Sequence, residues 1–148
     1  MKPITVKQNK EKDCISACLE SLGSYYNLHH TIGCNRDSKA AIRAIDLNIP
    51  ELLLRAGKAG FKGKKVSSTV HTIDRMRLPA VAQVWRGDKL HYIILYKIED
   101  NRLTVMDPAF GKLIPYSLAG FNRIWSGVLV LLVCQNNVIP NGVPLLLR

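Results

Sequence analysis

Four residues of this 148-residue chain have types and spacings that could carry out nucleophilic chemistry: Gln8, Cys14, His91 and Asp107. A cysteine attacks as its thiolate, which only a few per cent of free thiols form near neutral pH, so a reactive cysteine needs a device that favours the anion. Cys14 follows Asp13, a good helix N-cap, and opens an amphipathic run, so the positive end of a helix dipole should face its sulfur. Gln8 lies six residues earlier and could aim a side-chain amide at a developing oxyanion, with the Cys14 N–H as second donor. His91 sits within LHYIILYKI (90–98) and Asp107 ends LTVMD (103–107). The turn EDNR (99–102) between them would set positions 91 and 107 opposite or nearly so in a hairpin. A carboxylate there fixes the imidazole tautomer and supports the imidazolium. Taken singly, each residue has a blander reading: a small buried thiol, a core histidine, a turn-forming Asp before Pro and a solvated glutamine. As an ordered set they make a nucleophile, a base, an orienter and an oxyanion donor.

The elements that must position these groups follow from periodicity. Residues 15–26 place Ile15, Cys18, Leu19, Leu22, Tyr25 and Tyr26 on one helical stripe. Asn48, Pro50 and Glu51 give a second helix start with capping-box spacing, followed by the apolar stretch Leu52–Ala59 and a stop at Gly60. Beyond it the pattern changes to strands: LPAVAQVW (78–85), a turn at RGDK (86–89), then 90–98 and 103–107. GKLIPYS is expected as a fourth strand, and VLVLLVC (128–134) as a fifth, buried on both faces. The fold class expected is α+β, a helical N-terminal half packed on an antiparallel sheet from the C-terminal half. Residues 1–135 are expected to form one domain, with 136–148 a linker or tail leaving it.

Composition narrows the class. An apolar share of 47% with 22% charged residues is that of an ordinary globule rather than a disordered chain. The longest apolar run, Val128 to Cys134, falls far short of the roughly 20 residues that span a bilayer. The polar start MKPITVKQNKEKD lacks the apolar core of an export signal, so four cysteines read as thiols and a cytoplasmic setting is expected. The net charge of +10 implies an acidic partner.

The segments QNKEKDCISACLESLGSYY, KLHYIILYKI and LTVMDPAFGK resemble the double-glycine leader peptidases. These are papain-like cysteine peptidase domains at the N-terminus of bacteriocin-exporting ABC transporters. LPAVA and Trp125-Ser126-Gly127 before the final strand are similar to further family segments, so the likeness spans residues 1–134. It implies Cys14 as nucleophile, His91 as base, Asp107 as orienter and Gln8 as oxyanion donor, with no cofactor. It also implies cleavage after a Gly-Gly or Gly-Ala-like pair in the leader of a bacteriocin or lanthipeptide precursor. The leader would dock as an amphipathic, acidic helix, and cleavage would be coupled to export on the cytoplasmic side of the membrane. The chain departs from the family at Ile15-Ser16, where small Gly-Ala or Gly-Pro is usual.

Two other readings compete. Cys14, Cys18, His29, His30 and Cys34 have spacings that could ligate zinc in a basic nucleic-acid module, but they lack the CxxC knuckle. A leader-docking domain without catalysis is the other, and such relatives lack the nucleophile. Cys18, Cys34 and Cys134 read as structural, and His29, His30 and His71 as surface or structural residues.

Overall fold

The computed structural model describes residues 2–28 and 48–135, so His29, His30, Cys34 and the expected tail at 136–148 lie outside the described residues. The first helix, α1 (Cys14–Tyr25), is capped by Asp13, whose carboxylate accepts from the Ser16 N–H. The second, α2 (Ile49–Lys58), is capped by Asn48 through the Glu51 N–H, with Pro50 in its first turn. Both starts lie where the capping residues place them.

Six antiparallel strands form one sheet in the order β1-β6-β2-β3-β4-β5. They are β1 (Phe61–Ser67), β2 (Ala80–Arg86), β3 (Lys89–Glu99), β4 (Arg102–Asp107), β5 (Lys112–Ser117) and β6 (Trp125–Cys134). A short helix, α3 (Leu118–Ile124), capped by Ser117, joins β5 to β6. The α+β layout is as the sequence implies, but the sheet is not confined to the second half. β1, hidden in the sequence among Lys62, Lys64 and Lys65, pairs along β6 as an edge strand, where lysines are well tolerated. Pro115 likewise sits on the opposite edge strand, β5. The expected two-sided burial of 128–134 holds only in part, because Val133 is exposed and Leu131 half-buried. The cause is register: β2 pairs with β6 only as far as Leu131, and residues 132–134 run on beside β1 alone.

The sheet separates two cores. On one face Ile15, Leu19 and Leu22 of α1 and Leu52 of α2 pack with Tyr92, Ile94 and Met106. On the other, Ile93, Leu95, Val105 and Leu129 close around Phe121 and Trp125. Each fully buried side chain of this size contributes about 1.5–3 kcal/mol. Burial, more than helix propensity, therefore holds α1 on β3.

Candidate active site

Cys14 is the first residue of α1 and only 2% exposed. Its sulfur meets the N–H of Tyr92 as well as the N–H groups of Cys14 and Ile15 at the open end of the helix. One turn on, the Cys18 thiol donates to the Tyr92 carbonyl at 3.5 Å. Helix α1 is thus pinned to the residue that follows His91. Burial nevertheless pushes the Cys14 thiol up to about 11, and the charge of Asp13 adds to the rise; the three N–H groups offset only part of it. The helix N-terminus thus lowers this pKa as expected, but by less than burial raises it. Ile15 and Ser16, the departure from the family pattern, are both buried: Ile15 in the core, Ser16 with its N–H on the cap.

On the sheet side, His91 Nε2 lies 2.9 Å from Asp107 Oδ1. How the chain achieves this is a matter of register. Asp100 and Asn101, both at positive φ, make a two-residue turn, and Glu99 pairs with Arg102. Continued unbroken, that ladder would set Asp107 opposite Ile94, on the face pointing away from His91. A bulge between Leu95 and Lys97 adds one residue to β3 and pairs Ile94 with Met106 instead. Asp107 then falls opposite Ile93 and shares a face with His91, one diagonal step away, close to the expected opposition. With Nε2 engaged by the carboxylate, Nδ1 is the ring nitrogen left for a second partner.

Asp107 is fully buried and richly held. Arg86 Nη2 donates to its Oδ2 at 2.6 Å, and the Ala109 N–H to Oδ1 at 2.9 Å. Burial works to raise its pKa, but the His91 and Arg86 hydrogen bonds and the Ala109 N–H outweigh it and hold the carboxyl at about 2, against a usual 3.8. Arg86, assigned from sequence to a turn, is instead the last residue of β2, and its guanidinium lies 5.6 Å from the centre of the Phe110 ring.

Gln8 arrives by a different route. Its N–H donates to the Pro108 carbonyl at 2.8 Å, next to Asp107. Gly111 (φ 63°) makes this docking possible, since a Cβ there would lie 2.7 Å from Lys7 Cβ. A closed turn at Asn9–Lys12, whose Asn9 side chain accepts from Glu11 and Lys12 N–H, then leads to the Asp13 cap. The six-residue spacing from Gln8 to Cys14 is made up of this turn, the Asp13 cap and the step to Cys14. The Gln8 Oε1 is buried without a partner among the described residues. All four sequence-selected residues thus converge on positions 91–92 and 107–108. Of the zinc candidates only Cys14 and Cys18 are described; His29, His30 and Cys34 lie outside the described residues, among which no group of three or more potential ligands lies together.

Two arginines escaped the sequence reading. Arg55, taken there as part of an apolar stretch, is 4% exposed and binds both oxygens of Asp13 through Nη1 at 2.9 and 2.8 Å. Its Nε also donates to Glu51 at 2.7 Å, an i,i+4 spacing that could have flagged it. Arg86 offered no comparable local signal.

The fold matches solved structures closely. The peptidase domain of Streptococcus ComA, a bifunctional ABC transporter, superposes with a TM-score of 0.74 over 90% of this chain and 100% of its own, at 22% identity. A double-glycine-motif protease from a PCAT transporter, solved with a leader peptide, gives 0.69 over 87% of this chain and 90% of its own, at 17% identity. Among curated relatives, the lactococcin-G-processing and transport ATP-binding protein LagD of Lactococcus lactis is 29% identical over 88% of this chain. SunT of Bacillus subtilis, the sublancin-168-processing and transport ATP-binding protein, is 28% identical over 76%. The chain spans less than a fifth of the length of either, 18% and 16%. The model of the Peptidase C39 family, a family of cysteine peptidases, matches residues 2–137, and the chain belongs to that family.

Proposed function

We propose that this chain is the leader-cleaving part of a processing ABC transporter, a cysteine endopeptidase that cuts after a Gly-Gly or Gly-Ala-like pair. The observation that carries this reading is the convergence of Cys14, the His91–Asp107 pair and Gln8 around two adjacent backbone stretches. At rest the buried thiol keeps its proton, so the thiolate forms by proton transfer to His91 as substrate binds, with Asp107 stabilising the imidazolium. The sulfur attacks the carbonyl of the second glycine. The side-chain NH2 of Gln8 and the Cys14 N–H donate to the oxyanion. His91 then protonates the leaving amine, water hydrolyses the thioester, and the thiol is restored.

The substrate is a precursor peptide whose amphipathic, acidic leader docks as a helix. The net charge of +10 favours such a partner, and Trp85 and Phe110, exposed beside Arg86 and Asp107, offer apolar footing. The peptidase works on the cytoplasmic side of the membrane; no helix among the described residues is long and apolar enough to cross it. A docking role without catalysis is disfavoured by the retained Cys14. Incubating wild type and Cys14→Ala with leader peptides ending in Gly-Gly, Gly-Ala and Ala-Ala tests the reading. Cutting by wild type alone, fastest after Gly-Gly, is the expected result; equal cutting by the variant, or preference for Ala-Ala, would overturn it.

A further inference from the structure

The cap of α1 presents a conflict. Asp13 is needed to satisfy the Ser16 N–H, yet it places a carboxylate beside a sulfur that must become negative. Arg55 reaches from α2 to both Asp13 oxygens, to the Ser16 hydroxyl at 3.2 Å and to Glu51. As a stabiliser it is a poor choice: buried ion pairs rarely outperform apolar packing, and Arg55 Nη2 is buried with no partner among the described residues. A charged side chain kept under these conditions points to an electrostatic duty.

We propose that Arg55 is a positioning residue for the nucleophile: by clamping the Asp13 carboxylate it neutralises the negative charge beside Cys14 while Asp13 still caps the helix. The inference rests on the reading of Cys14 as the nucleophile and extends it to the element beneath. Burial works against the charge of Arg55, but the Glu51 and Asp13 carboxylates outweigh it and raise its pKa, so the guanidinium is a permanent cation. The other charged or titratable groups around the sulfur are the Lys12–Glu20 pair and Cys18 on or beside α1, Glu51 on α2, and His91, Tyr92, Asp107 and Arg86 from the sheet. Of these, Asp13 directly precedes Cys14, and Arg55 pairs with it at 2.8 Å.

The test reads thiol acidity rather than cleavage, so it stands apart from the question of substrate. Iodoacetamide labelling of Cys14, followed by peptide mass spectrometry from about pH 5 to about pH 10, gives the profile. Arg55→Met should shift it upward by about one pH unit, slowing labelling at neutral pH about tenfold. Arg55→Lys should keep it near wild type. Asp13→Asn should shift it downward, and Asp13→Asn combined with Arg55→Met should fall below Arg55→Met alone. A folded Arg55→Met with an unshifted profile would overturn the proposal. If Arg55→Met does not fold, Arg55→Gln takes its place: an upward shift supports the proposal, and an unshifted profile overturns it.

Discussion

Two aspartates flank Cys14 and His91, and an arginine from another element holds each one. Asp107 receives Arg86 and His91; Asp13 receives Arg55 and the Ser16 N–H. Their surroundings differ in a telling way. The Arg86 side chain is 38% exposed, whereas Arg55 is almost sealed. In the proposed reaction Asp107 acts through its charge, which must remain available to the imidazolium, and a partly solvated arginine steadies it without cancelling it. Asp13 acts through its shape as a cap, and its charge hinders the thiolate, so a buried arginine neutralises it. The same ion pair chemistry serves opposite ends.

This contrast can be broken most sharply by removing each charge while keeping the shape. Asp107→Asn should cut kcat/KM about 10²- to 10⁴-fold, because the imidazole loses its orienting carboxylate. Asp13→Asn retains a capping oxygen and should leave cleavage of the same leader peptide within about threefold. Comparable losses in both variants would mean that the two aspartates play the same role. Arg86→Ala should cost far less than Asp107→Asn, about fivefold or less in kcat/KM, given its exposure. The acid limb of its pH profile should move upward, since the Asp107 carboxyl loses a partner that keeps its pKa low.

The smallest effect concerns stability. Folding lowers the Asp107 pKa from 3.8 to about 2, so its contribution is present above pH 3.8 and lost as the pH falls toward 2. That amounts to about 2 kcal/mol. Urea midpoints measured at about pH 5 and about pH 2.5 should therefore fall further for wild type than for Asp107→Asn, which has no carboxyl to titrate.

The candidate site residues could be singled out because they carried local signatures. Asp13 announced a helix start at Cys14, and the turn at Asp100–Asn101 tied His91 to Asp107. Strand and helix bounds followed from the same punctuation. What could not be read was whatever depends on contacts distant in sequence. Arg55 meets Asp13 from 42 residues away, and Arg86 meets Asp107 from 21. β1 escaped because alternating lysines on an edge strand mimic a solvated loop. The raised pKa of Cys14 escaped for the same reason: the helix start is a local signal, whereas its burial depends on the sheet packed over it.

The bulge at Leu95–Lys97 has a consequence for how this chain can vary. It makes the count of residues between His91 and Asp107 a question of odd or even. Losing or gaining one residue anywhere along that ladder would turn the aspartate to the wrong side of the sheet and silence the chemistry with every reacting group still present. Two residues added at the turn would preserve it. Length in this hairpin is therefore under tighter constraint than composition, and a relative that keeps Cys14, His91 and Asp107 but differs by one residue here would be an enzyme in letters only.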